Sequence, residues 1–129
     1  MGQPAAKQGD RITAVDLHLI QPPSPSPPAP VPHPFTGVID AGVSANVRIE
    51  GRFAATVGST ATNTPPHVPQ GGTFVKPPSN LGQIVLGSLT VRINGKPAAR
   101  AGDTAVTCND PADLPVGTVV ALGTVRIGD

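Results

Sequence analysis

The sequence predicts an all-β protein built from three copies of one small unit and interrupted by long Pro-rich loops. One phrase recurs as QPAAKQGDRIT at Gln3 to Thr13, RFAATVGSTAT at Arg52 to Thr62 and KPAARAGDTAV at Lys96 to Val106. Each copy carries paired alanines and a glycine three residues after the second alanine. A second phrase, Val-Arg-Ile, stands at 47–49, 91–93 and 125–127. Val, Ile and Thr dominate the ordered-looking runs, Gly and Pro interrupt at short intervals, and no dozen residues keep an apolar stripe at helical spacing, so short strands and hairpins are favoured. An internal repeat dictates architecture before propensity does.

The two phrases join into the frame VRI-x-G-x-[FP]-A-A in the second and third copies. In the remaining copy the frame is displaced: Val125-Arg126-Ile127 lies at the C-terminus, while its continuation, Gly2-Gln3-Pro4-Ala5-Ala6, lies at the N-terminus. A closed ring of three units, cut inside one of them, accounts for this and predicts adjacent termini with pseudo-threefold symmetry. Strands are expected within Val43 to Ile49, Gln83 to Ile93 and Gly117 to Ile127. Gly87 and Gly123 split two of these runs and are expected at tight hairpin turns that need positive φ. Gly9-Asp10 and Gly102-Asp103 read as turns, and Gly58-Ser59 substitutes another short side chain that bonds the backbone.

Two segments break the repeat. Gln21 to Pro34 holds eight prolines and is expected as a stiff, extended loop with polyproline character. Thr64 to Ser79 is a looser loop with five prolines and two glycines. His33 sits between Pro32 and Pro34, and His67 follows Pro65-Pro66. Backbone already restricted by proline loses less entropy when it is ordered around a ligand.

At 129 residues, with three Phe and neither Trp nor Tyr, the chain is expected to form a single domain over 1–129 with a thin core and no separate effector domain. Weak cores in small chains call for a staple. Cys108 is the sole cysteine and has no disulfide partner, which leaves a metal. The net charge of +1, with scattered basic residues and no interleaved aromatics, gives no support to nucleic-acid binding. No apolar run approaches the roughly 20 residues of a membrane span, and no signal-peptide core opens the chain. Met1-Gly2 lacks the Ser or Thr a myristoylation start wants, because Ala6 holds that place. The protein is expected to be soluble and made in the cytoplasm.

The metal ligands available are few. The chain contains three His and one Cys, and His18, His33, His67 and Cys108 can all be assigned to one tetrahedral zinc site. His18 and His67 each follow their repeat glycine by nine residues, Cys108 follows Gly102 by six, and His33 comes from the inserted segment. One ligand per unit places the ion near the pseudo-threefold axis. A zinc-dependent hydrolase is the competing reading, with His33 outside the shell and Asp16 or Asp110 as base. Catalytic zinc keeps an open position, however, and four available ligands suggest a closed, structural ion.

Pro4-Ala5-Ala6-Lys7 and Pro97-Ala98-Ala99-Arg100, with the degenerate Phe53-Ala54-Ala55-Thr56 between them, resemble the PAAR-repeat family of spike-tip proteins. The resemblance covers essentially the whole chain. It implies a small conical domain that caps the trimeric β-helical spike, of the valine-glycine repeat type or its phage-like counterpart, in type VI secretion and related contractile injection systems. It implies one zinc ion near the apex held by three His and one Cys, which map onto His18, His33, His67 and Cys108, and no catalytic residues. Membrane puncture, transient contact with a target membrane, attachment or adaptor service for effector cargo, and expulsion with the tip follow as expectations. A single chain seated on a trimeric partner is expected as well.

Overall fold

The computed structural model describes residues 2–128. Thirteen strands and no helix make up this region. In chain order they are β1 (Gln3–Pro4), β2 (Arg11–Gln21), β3 (Ala29–Ala41), β4 (Arg48–Ile49), β5 (Arg52–Phe53), β6 (Thr60–Asn63), β7 (Thr73–Phe74), β8 (Leu81–Ile84), β9 (Arg92–Ile93), β10 (Lys96–Pro97), β11 (Thr104–Thr107), β12 (Leu114–Val120) and β13 (Arg126–Ile127). Six of them close an antiparallel barrel in the order β2-β3-β6-β8-β11-β12, with β12 pairing back onto β2, so each of the three units supplies two neighbouring strands. Closure removes the free edges that an open sheet would present.

Three two-stranded ribbons, β4–β5, β9–β10 and β1–β13, are built from the Val-Arg-Ile runs and the residues that open each repeated phrase. The ribbon β1–β13 pairs Gln3 with Ile127 and Pro4 with Arg126, so the termini are adjacent. The other two ribbons turn at Glu50-Gly51 (φ 52° and 83°) and Asn94-Gly95 (φ 54° and 79°), the consecutive positive φ values of a type I′ hairpin.

The paired alanines join ribbons to barrel. Ala6 N–H donates to Ala99 O (2.9 Å), Ala99 N–H to Ala55 O (3.1 Å) and Ala55 N–H to Ala6 O (3.0 Å), a closed cycle around the threefold axis. Successive residues of extended chain face opposite ways, so each dipeptide serves two cores. Ala5, Ala54 and Ala98 pack with Ile49, Ile93 and Ile127 beneath the ribbons, and Ala6, Ala55 and Ala99 pack into the barrel. A bulkier side chain would hold apart the strands that meet there.

The turns after the alanines are equivalent in all three copies. Lys7 N–H donates to Asp10 Oδ2 (3.0 Å), Thr56 N–H to Ser59 Oγ (2.9 Å) and Arg100 N–H to Asp103 Oδ2 (2.7 Å), with Gly9, Gly58 and Gly102 at φ 96°, 98° and 91°. Lys7 and Arg100 also form ion pairs with Asp10 and Asp103. The middle copy replaces both partners together, Thr56 for the base and Ser59 for the acid, and keeps the turn.

The barrel interior is filled by Ile12, Ile39, Ala61, Ile84, Ala105 and Val119, with Phe35 above them. The outgoing strands β3, β8 and β12 carry Gly37, Gly82 and Gly117 at corresponding positions. A Cβ on Gly37 would fall 2.7 Å from Phe35 Cε1, and one on Gly117 2.9 Å from Thr107 Cγ2. The glycines make the room that Phe35 and Thr107 occupy.

Several strand expectations are corrected. The Pro-rich segment is not loop throughout: residues 22–28 form a tip, but Ala29 to Pro34 belong to β3 and pair with Leu17 to Ile20 and their neighbours. Pro30, Pro32 and Pro34 alternate, so their missing donors all fall on one side of the strand. That is the side on which Thr36 N–H meets Asn63 Oδ1 and Thr36 O accepts from Thr64 N–H, and there β6 reaches no further than Gly37. Proline is tolerated on such an unpaired edge. The hairpins expected at Gly87 and Gly123 are absent, because β8 and β12 belong to the barrel while β9 and β13 belong to ribbons. Gly123 does have positive φ (147°). Gly87 instead permits close approach, since a Cβ there would lie 2.7 Å from Ala98 O. Of Val43 to Ile49 only Arg48–Ile49 is strand.

Candidate metal centre

Above Phe35 the barrel strands end unequally. β6 and β11 stop at Asn63 and Thr107, whereas the β2–β3 hairpin continues to Gln21 and Ala29. Alternation along β2 points Asp16, His18 and Ile20 inward with Ile12, and on β3 buries His33 with Phe35 and Ile39. The overhang therefore presents two histidines and a carboxylate on its inner face.

The shorter units close this face with loops. Leu17 N–H donates to Asn109 Oδ1 (2.7 Å), Asp110 N–H to Leu17 O (2.8 Å) and Leu19 N–H to Asp110 Oδ2 (2.8 Å). These bonds hold Cys108 against the hairpin. On the opposite side Asn80 Oδ1 accepts from His67 N–H (2.8 Å) and Asn63 Nδ2 (3.2 Å), which fixes the start and end of the 64–80 loop to each other. Phe74 on β7 pairs with Ile20 and covers the rings of His18 and His33, 5.7 and 5.5 Å away between centroids.

Three of the four residues expected as ligands, His18, His67 and Cys108, bring their donor atoms together with Asp16, and His33 lies beside them. The imidazole centroids of His18, His33 and His67 lie 5.0 to 5.6 Å apart, and donor atoms of Asp16, His18, His67 and Cys108 all lie within 4.8 Å of one another. His33 stands at the side of this tighter group, across the ladder from Asp16. Equivalent sequence spacing did not translate into equivalent routes: His18 lies within a strand, Cys108 one residue past β11, and His67 four residues past β6.

The chemistry of the donors fits a cation. His33 Nδ1 lies 2.8 Å from Val31 O; a carbonyl only accepts, so Nδ1 carries a proton, and in the neutral ring that tautomer leaves the Nε2 lone pair for a ligand. His33 Nε2 and both ring nitrogens of His18 are buried with no hydrogen-bond partner among the described residues. Buried orphans of this kind are costly unless something binds them. His18 Nδ1 lies 3.4 Å from Asp110 Oδ2, an ion-pair distance without hydrogen-bond geometry. Burial lowers the His18 pKa and outweighs the opposing pull of Asp110, which keeps the ring in its neutral, ligating form. Burial first, and Asp16 second, push the Cys108 thiol up to about 11, so a metal must displace its proton.

Sequence reasoning considered Asp16 and Asp110 only as bases for a hydrolase. The structure buries Asp16 completely, with Oδ2 2.8 Å from His67 Nε2 and 3.4 Å from Cys108 Sγ. Its position two residues before His18, on the same face of an alternating strand, was the available signal.

A search with protein-family models matches the PAAR motif over residues 23–110 and 75–128, and no curated protein matches the chain. The matched region contains the second and third repeats; the first is recognisable because its alanines, turn and strand occupy the equivalent places in the ring. With most of its length matched and its three units closed around the alanine cycle, the chain belongs to the PAAR motif family.

Proposed function

We propose that this protein is the tip of a type VI-type spike, seated by its ribbon end on a trimeric partner and stiffened at the other end by one zinc ion. His18, His33, His67 and Cys108 are the proposed ligands, in a closed structural site. The observation that carries the reading is the alanine cycle: three chemically similar faces of one chain are arranged about a single axis, the symmetry a trimeric spike end requires. Exposed Leu86, Leu89 and Leu122 lie in the segments that connect barrel to ribbons, with Leu89 88 % exposed, and a partner there would remove them from water.

The metal would act as folding energy for an apex whose loops bury little apolar surface beyond Phe74. Among the described residues, no helix is long and apolar enough to cross a membrane. Puncture by a rigid point, cargo attachment and expulsion with the tip belong to the same proposal. The PAAR motif family is structural, not known for catalysis, and the ligand-rich cluster supports a structural ion over a hydrolase. Mixing the purified chain with a trimeric spike and weighing the complex by light scattering should give one tip per three spike chains. A ratio of three to three would overturn the pseudo-threefold argument.

A further inference from the structure

We propose that Asp16 sets the charge of the ion this centre accepts, favouring a divalent metal over a monovalent one. The inference rests on the metal-centre reading above and concerns a residue outside the proposed ligand set. Asp16 is fully buried, and its two oxygens face different ways. Oδ1 accepts from Thr107 Oγ1 and from Asn109 Nδ2 (3.4 Å), which anchor it to the end of β11. Oδ2 is presented to the cluster, against His67 Nε2 and Cys108 Sγ. In the metal-free protein each of these neighbours can donate to it, the surroundings that an acceptor-only carboxylate satisfies.

The consequence is electrostatic. A divalent ion held by one thiolate and three neutral imidazoles leaves one net positive charge in a place out of water, where unbalanced charge is costly. The Asp16 carboxylate cancels it. A monovalent soft ion such as Cu(I), which thiolate and imidazole ligands also suit, is already balanced by Cys108, and Asp16 would then add an uncompensated negative charge. Asp110, the other carboxylate beside the cluster, is also buried, 6 % exposed at its side chain and 3.4 Å from His18 Nδ1, but its Oδ2 already accepts from Leu19 N–H and it borders a cleft also lined by Lys76, whereas Asp16 Oδ2 faces His67 and Cys108.

Asp16→Asn removes the charge while keeping the shape. Zinc and Cu(I) affinities of the parent and this variant are measured by competition with chromogenic chelators, the copper series under anaerobic conditions. Zinc binding should weaken about 10- to 100-fold, the range for loss of a group that supports the ligands, while Cu(I) binding holds or tightens. Parallel losses for both ions would mean that Asp16 is only structural, and unchanged zinc affinity would equally overturn the proposal. A parent that binds neither ion would instead refute the metal centre itself. If circular dichroism shows the Asn variant unfolded without metal, Asp16→Ser, with room for a water between Thr107 and Asn109, is judged by the same ratio.

Discussion

Replacing Cys108 with Ala separates the proposed metal's contribution to stability from ordinary packing. Cys108 is 3 % exposed and belongs to the barrel core, so loss of its sulfur leaves a small void worth about 1 kcal/mol, as for other single-atom truncations. The larger effect comes through linkage. At free zinc one hundred times its dissociation constant, binding to the folded state alone adds about 2.7 kcal/mol. An unfolding entropy of about 2.1 cal/mol/K per residue over 129 residues makes each kcal/mol worth about 4 °C. The parent should therefore lose about 10 °C in Tm when zinc is replaced by a chelator, measured by scanning fluorimetry with metal content checked by mass spectrometry. Cys108→Ala should melt about 4 °C below the chelated parent and show little response to zinc or chelator. A variant that kept the full chelator-dependent shift would refute convergence of the ligands on one ion, whatever its Tm.

Two further outcomes follow from packing and ionisation. Gly37→Ala places a Cβ 2.7 Å from Phe35 Cε1 and 2.9 Å from Ala61 Cβ, an overpacking that should cost about 1–3 kcal/mol; an unchanged urea midpoint would show that Phe35 is not confined as described. In the metal-free protein the Cys108 pKa is raised from 9.0 to about 11, so between these values the unfolded chain loses its thiol proton while the folded chain keeps it. Stability is thus intact below pH 9.0 and declines towards about pH 11, by at most about 3 kcal/mol. Cys108→Ser should flatten that part of the pH–stability curve, and an equal decline in both proteins would assign it to other groups.

The repeat was legible because its physical demands are local. Paired alanines, a glycine at positive φ and a short side chain bonding back to the residue after them specify one turn wherever they occur, and Ser59 meets the last demand as Asp10 and Asp103 do. The displaced Val125-Arg126-Ile127 likewise announced the ribbon it forms with Gln3–Pro4. The long β2–β3 hairpin was not legible, because proline density argued against strand. Only the fold shows that Pro30, Pro32 and Pro34 share an edge that pairs with no other strand among the described residues. The strand runs divided by Gly87 and Gly123 misled for a related reason: a β-like run does not state whether its two arms pair with each other or with different sheets.

The sequence by itself determined a three-unit all-β ring with adjacent termini and a supply of candidate nitrogen and sulfur ligands limited to three His and one Cys, since repetition and composition need no long-range information. Tertiary structure decided how those candidate ligands are brought together. Unequal strand lengths let one hairpin overhang the barrel, the loops after β6 and β11 fold against it through Asn80, Asn109 and Asp110, and Asp16 is carried into the cluster with its second oxygen free to face His67 and Cys108. Such convergence depends on where strands stop and which edges remain open, quantities set by pairing between units, not by any one copy of the repeat.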